Sequence, residues 1–183
     1  VRFVTTSWPS LMADLAADRF DMAMTGVSRT PARDEAADFS VTYFVTGKTA
    51  LARCSWQPGG WDIDDINRPS VRIIVNPGGT NERFARSAFD RAELTVHTDN
   101  LSVFERLAQG DADLMLTGEV EARIVAGRHS QLCVPRATPY TRVEKAALLP
   151  SNSTLTGTID TWLEARMRDG TVTTIVKRYV PDR

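Results

Sequence analysis

The chain has 183 residues, 42% of them hydrophobic and 25% charged, and its 22 basic and 23 acidic side chains leave a formal net charge of −1. These proportions are those of a globular protein with one substantial core or two small ones, and they exclude a disordered or fibrous chain. No run of Lys or Arg interleaved with aromatics is present to track a phosphate backbone, and no apolar stretch approaches the roughly 20 residues that cross a bilayer, so nucleic acid is not an expected partner and no membrane span is expected.

From the first residue, Val1-Arg2-Phe3-Val4 reads as a strand, and since the sequence starts there on Val rather than Met, the natural polypeptide is expected to extend upstream and carry any targeting signal with it. Ser7-Trp8-Pro9 opens a helix with Leu11, Met12, Leu15 and Ala16 on one face. A short strand at Phe20 to Met24, a loop at Thr25 to Thr30 and a turn of helix at Pro31 to Glu35 follow, and Val41 to Ala52 reads as a long strand interrupted at Gly47. A second cycle begins with the β-branched run Val71 to Val75, bounded by Asn76-Pro77-Gly78-Gly79. Next come a helix from Thr80 to about Phe89, a strand at Leu94 to His97, a helix capped by Asp99 or Asn100, a strand at Leu114 to Leu116 and a helix from Glu119 to Ala126. Glu144 to Leu149 reads as a strand, and two amphipathic helices close the chain at about Thr154 to Arg168 and Thr171 to Tyr179. Strands alternating with helices predict an α/β fold.

Two loops stand between a strand and a helix, where free backbone N–H groups and the helix dipole favour an anion. They are Thr25-Gly26-Val27-Ser28-Arg29-Thr30-Pro31-Ala32-Arg33 and Asn76-Pro77-Gly78-Gly79-Thr80-Asn81-Glu82. Arg33 adds a planar, permanently charged fork that can grip a carboxylate through two parallel hydrogen bonds, and Thr80 adds a hydroxyl. The plainer alternative for each is a tight turn with a surface side chain. His97 and His129 stand without acidic or thiol partners at ligand spacing, and Cys54 and Cys133 have neither CxxC nor Cys/His spacing. No metal site, no histidine-based nucleophile and no cofactor are therefore expected, and the two cysteines are either bridged or free. The glycine loop is neither GxxxxGK[ST] nor GxGxxG, which speaks against nucleotides.

The segment TGVSRTPAR (Thr25 to Arg33) followed by ADFS (Ala37 to Ser40) resembles the hallmark of the amino-acid-type solute-binding proteins of bacterial uptake systems, family 3. TSWPSLM (Thr6 to Met12), RFDMAMTGVS (Arg19 to Ser28), VNPGGTNERFAR (Val75 to Arg86), ADLMLTGEVEAR (Ala112 to Arg123) and EKAALLP (Glu144 to Pro150) together resemble the cyclohexadienyl dehydratases, which arose within that fold. The resemblance implies an α/β, two-lobed periplasmic binding protein-like (type II) fold: residues 1–47 and 145–183 build lobe 1 and residues 48–144 build lobe 2. The family supplies a strand, a helix and another strand before the position of Val1, so the N-terminal part of lobe 1 is expected to be missing from this sequence. An extracytoplasmic, periplasmic location is implied as well.

Carried onto matching positions, the resemblance implies that Arg33, Ser28, Gly26 and Thr80 hold a substrate carboxylate, that Trp8, Lys48 and Asn76 line the ligand site, and that Glu121 is a general acid. Desolvation in a closed cleft favours the neutral, proton-donating form of such a glutamate. The plain reading of Glu121 alone is a solvated carboxylate at a helix N-terminus. Gly118 stands where amino-acid binders carry the acidic residue that takes the ligand's ammonium group, with Glu119 next to it. The implied activity is the decarboxylative dehydration of prephenate, and of arogenate, with a small-molecule carboxylate as partner. The alternative is a binding protein that delivers an amino acid or small carboxylate to the membrane component of an ABC transporter. Oligomeric state is left open.

Overall fold

The computed structural model describes residues 1–180. In chain order its elements are α1 (Leu11–Ala16), α2 (Pro31–Asp34), β1 (Asp38–Phe39), β2 (Phe44–Thr46), β3 (Lys48–Arg53) and α3 (Ile63–Ile66). They continue with β4 (Arg72–Val75), α4 (Thr80–Ala88), β5 (Glu93–Val96), α5 (Val103–Gln109), β6 (Leu114–Gly118) and α6 (Glu119–Arg128). The last are β7 (Leu132–Cys133), β8 (Val143–Lys145), β9 (Leu148–Leu149), α7 (Thr156–Arg168) and α8 (Thr171–Tyr179). The chain divides into two compact units, unit 1 from Val1–Val45 and Val143–Tyr179, and unit 2 from Thr46–Arg142.

Unit 2 is built on a five-stranded mixed sheet in the order β5-β4-β6-β3-β7. β4 runs parallel to β5 and β6, while β3 runs antiparallel to β6 and β7. Alternation along each strand sends side chains to opposite faces. Ala50, Ala52, Ile73, Val75, Leu114 and Leu116 enter one core with Ile66, Ala85 and Phe89, whereas Leu51, Ile74 and Met115 enter another with Val103, Leu107, Ala122 and Val125. The β4-to-β5 connection covers the first face with α4, and the β5-to-β6 connection covers the second with α5. This places the order reversal at β4, and the carboxyl ends of β4 and β6 open on one edge of the sheet, where α/β proteins hold ligands. Register pairs Lys48 with Gly118, so the first residue of β3 stands on the same edge.

In unit 1 the segment from Glu144 to Leu149 is held from both sides. Ala23 exchanges backbone hydrogen bonds with Leu148 and Arg29 N–H donates to the Glu144 carbonyl, while Ser40 and Tyr43 N–H groups donate to Ala147 and Lys145. The core gathers Leu11, Leu15, Ala23, Val27, Ala37 and Leu148. Cys54 and Cys133 are bridged in unit 2.

Several expected elements differ. Val1–Val4 pairs with no strand among the described residues and Phe3 is exposed; an alternating pattern alone supplies no partner for backbone N–H and C=O groups. The strand expected at Phe20 to Met24 contracts to a single bridge at Ala23. α5 starts after Ser102 rather than at Asp99 or Asn100, because Asp99 accepts the Leu101 N–H in a turn and the Asn100 amide oxygen accepts from Asn76. α3, with Asp62 and Asp65 forming a capping box, and β7 went unread in the sequence.

Candidate functional site

The loop at 25–30 in unit 1 turns at Gly26, whose φ of +72° lies in the left-handed region that favours glycine. Pro31 then starts α2 at the position where its missing N–H costs nothing. This turn buries Ser28 and Arg33, at 4% and 6% exposure. The Arg33 guanidinium donates through Nη1 to the Ser28 carbonyl at 2.8 Å, and the Ser28 hydroxyl accepts from Lys145 Nζ at 2.8 Å. Because that ammonium only donates, the Ser28 hydroxyl hydrogen is directed elsewhere, as an anion site needs. Burial pushes the Tyr43 phenol above its ordinary value of 10.0, partly opposed by a backbone hydrogen bond with Gly26, so the ring stays neutral beside the loop. Trp8 is half-buried against the unit 1 core.

In unit 2 the sheet edge assembles a second polar group. Lys48, 5% exposed, donates from Nζ to Thr80 Oγ1 at 2.8 Å and to Asn81 Oδ1. Asn81 Nδ2 donates to Asn76 Oδ1 at 3.0 Å and to Thr117 Oγ1 at 3.3 Å. Asn76 Nδ2 donates in turn to Asn100 Oδ1 at 2.5 Å, and the Thr117 hydroxyl donates to Glu121 Oε2. Thr117 precedes α6 and Glu121 lies in its first turn, so a separation of four residues brings the two side chains together.

The structure thus gathers Lys48, Asn76, Thr80 and Glu121 into one hydrogen-bonded group within unit 2, and Arg33, Ser28 and Gly26 into one loop within unit 1. It also shows what occupies neighbouring groups. The Gly78 N–H in the glycine loop donates to Glu82 Oε2 at 2.7 Å, and this bond together with Arg86 holds the Glu82 carboxyl below its ordinary value. Glu119 accepts from Arg123 at 2.6 Å. Gly118 has nothing within 4 Å of where a Cβ would stand.

Sequence reading missed Asn81, Thr117 and Lys145. Each is a polar residue on a regular element, and only tertiary partners distinguish such a position from a solvated one. Asn81, at 8% exposure, and Thr117, at 0%, satisfy the rule that buried polar atoms find partners. Among the described residues no group of three or more His, Cys, Asp or Glu stands close enough to hold a metal ion.

The model of the bacterial extracellular solute-binding proteins, family 3, matches residues 1–182. A cyclohexadienyl dehydratase of Pseudomonas aeruginosa is 43% identical over 168 residues, covering 91% of this chain and 63% of its own length. The L-cystine-binding protein TcyJ of Escherichia coli is 22% identical over 176 residues, covering 95% of this chain and 65% of its own. The chain spans less than two thirds of the length of these curated relatives. An ancestral amino acid-binding protein, a precursor of cyclohexadienyl dehydratase, has a crystal structure that matches with a TM-score of 0.88 at 24% identity, over 98% of this chain and 78% of that one. At that identity the likeness carries the fold alone.

Proposed function

Because the chain belongs to the bacterial extracellular solute-binding proteins, family 3, and shares 43% identity with a cyclohexadienyl dehydratase, we propose that its protein is a cofactor-free dehydratase of prephenate, and of arogenate, working in the periplasm. The observation that carries the reading is the union of Glu121 with Lys48, Asn76 and Thr80 in one hydrogen-bonded group at the sheet edge. An acid, a cation and amide donors are the side chains this reaction asks for. Prephenate loses its ring carboxylate as carbon dioxide and its ring hydroxyl as water, and the electron pair released by the C–C bond completes the aromatic ring. Glu121 supplies the proton that turns the departing hydroxyl into water, and regains it from solvent. Lys48 attracts the ring carboxylate, Arg33 with Ser28, Gly26 and Thr80 binds the side-chain carboxylate, and Trp8 packs on the ring. The disulfide supports the periplasmic assignment, since such bonds persist in oxidising compartments.

The second reading is an amino-acid or small-carboxylate binding protein serving an ABC transporter, favoured by the likeness to the L-cystine-binding protein. One assay separates the two. The protein is incubated with prephenate at neutral pH and phenylpyruvate is followed by its absorbance in base. The dehydratase reading expects turnover that falls by roughly 10²-fold or more in Glu121→Gln, the usual contribution of a general acid. Background rates from both proteins would remove it, and a melting temperature raised by amino acids would then favour the binding protein.

A further inference from the structure

We propose that Thr117 and Asn81 are positioning residues that determine which oxygen of Glu121 carries the transferable proton. Within the network, chemistry fixes the hydrogen-bond direction at Lys48. An ammonium can donate and cannot accept. The Asn81 atom that faces Lys48 Nζ must therefore be Oδ1, which turns Nδ2 toward Asn76 and Thr117. Nδ2 has two hydrogens, and the two acceptors there use both. Thr117 Oγ1, already accepting from that amide, directs its own hydrogen to Glu121 Oε2. The order runs one way, from Lys48 through Asn81 and Thr117 to Glu121.

Two consequences follow for Glu121. Its Oε2 is committed as an acceptor, so the proton of the neutral acid belongs on Oε1. Its side chain is also held in place by the hydroxyl of a residue that is itself 0% exposed and sits on β6, a strand at the centre of the sheet. A glutamate in the first turn of a helix has several rotamers available, and one strand-mounted hydroxyl selects among them. Asn76 and Asn100 extend the same order on the other branch, because Asn76 Oδ1 accepts and its Nδ2 must donate.

The catalytic consequence rests on the dehydratase reading, whereas the hydrogen-bond order does not, and two measurements keep them apart. In proton NMR of the protein, the Thr117 hydroxyl should give a resonance in slow exchange with water that is absent in Thr117→Val and shifted in Glu121→Gln. A Thr117 hydroxyl exchanging freely with solvent would overturn the order directly, whether or not the protein turns over prephenate. In steady-state kinetics on prephenate, Thr117→Val should lower kcat by about tenfold with KM within about twofold, the upper end for one lost hydrogen bond between neutral groups. Thr117→Ser should restore most of it. Asn81→Asp keeps an acceptor for Lys48 but offers Thr117 no donor, and should lower kcat like Thr117→Val. Circular dichroism and melting temperature check that each variant is folded. Wild-type kcat in folded Thr117→Val would overturn the positioning role. If the wild type itself lacks activity, the dehydratase reading fails and the NMR result alone judges the hydrogen-bond order.

Discussion

Asp113 joins the start of β4 to the start of β6. Its carboxylate accepts the Arg72 backbone N–H at 2.9 Å, the Arg72 guanidinium at 2.7 Å and Arg53 Nη2 at 3.1 Å. Burial pushes its carboxyl up, but the hydrogen bonds from Arg72 and the charges of Arg72 and Arg53 outweigh that and hold it below the ordinary 3.8. A carboxyl depressed on folding stabilises the native state at pH values above 3.8, and this contribution is lost as the pH falls through the lower folded value. Asp113→Asn should therefore cost about 2 kcal/mol at pH 6, less than a fully buried pair because Arg72 reaches solvent, and the gap to wild type should be narrower at about pH 3, below the ordinary carboxyl value. Urea midpoints of both proteins at the two pH values test this, and a gap independent of pH would contradict it. Asp113 also illustrates what residue types alone conceal: nothing in Gly110-Asp111-Ala112-Asp113 separates the exposed Asp111 from the buried Asp113. The same applies to the candidate site. The loop around Arg33 could be read from glycine, proline and charge, but Glu121, Lys48 and Asn76 were singled out through motif resemblance, and Asn81 and Thr117 needed tertiary partners before a role could be assigned to them.

Strands and helices were legible where pattern and local chemistry agree. The β-branched run before Asn76-Pro77-Gly78-Gly79 became β4, and the break foreseen at Gly47 separates β2 from β3. Short pieces such as β7 and α3 were not legible, since two to four residues carry no periodicity and depend on neighbours for their hydrogen bonds. Gly47 has a reason beyond flexibility. A Cβ there would strike the Thr141 carbonyl oxygen and the Pro139 side chain, at the same point where the Gly47 carbonyl accepts the Glu119 N–H at 2.9 Å. Both colliding atoms belong to chain that is itself tied to β3, with Lys48 N–H donating to Thr141 Oγ1 at 2.9 Å and Tyr140 N–H to the Lys48 carbonyl at 2.7 Å. Relief by a small shift would break these bonds. Gly47→Ala should destabilise by about 2 kcal/mol or more, the usual cost of an overpacked site. A melting temperature equal to wild type would show that the loop at 139–141 yields freely.

The two units are stabilised by separate means. Unit 1 carries no cysteine and relies on the core around Leu11, Leu15 and Leu148, with the Val41 N–H donating to Asp160 on α7 at 2.7 Å. Unit 2 has cores on both faces of its sheet and one covalent tie, the Cys54–Cys133 disulfide, which fastens the end of β3 to β7 on the sheet edge. The bridge closes a separation of 79 residues that contains β4, β5, β6 and the helices between them. Removing it frees that loop in the unfolded chain, an entropy gain worth roughly 4–5 kcal/mol for this length in the chain-entropy account, while native geometry loses only a short edge strand's fastening. The loss should fall on unit 2 alone, because nothing within unit 1 is released. Hydrogen-exchange mass spectrometry on Cys54→Ser/Cys133→Ser tests the location as well as the size. Amides of β6 at Leu114–Leu116 should exchange far faster than in the wild type under mild denaturant, while those at Leu148–Leu149 keep their protection. Equal loss of protection in both segments would mean that the units unfold as one cooperative body and that the bridge stabilises the whole chain.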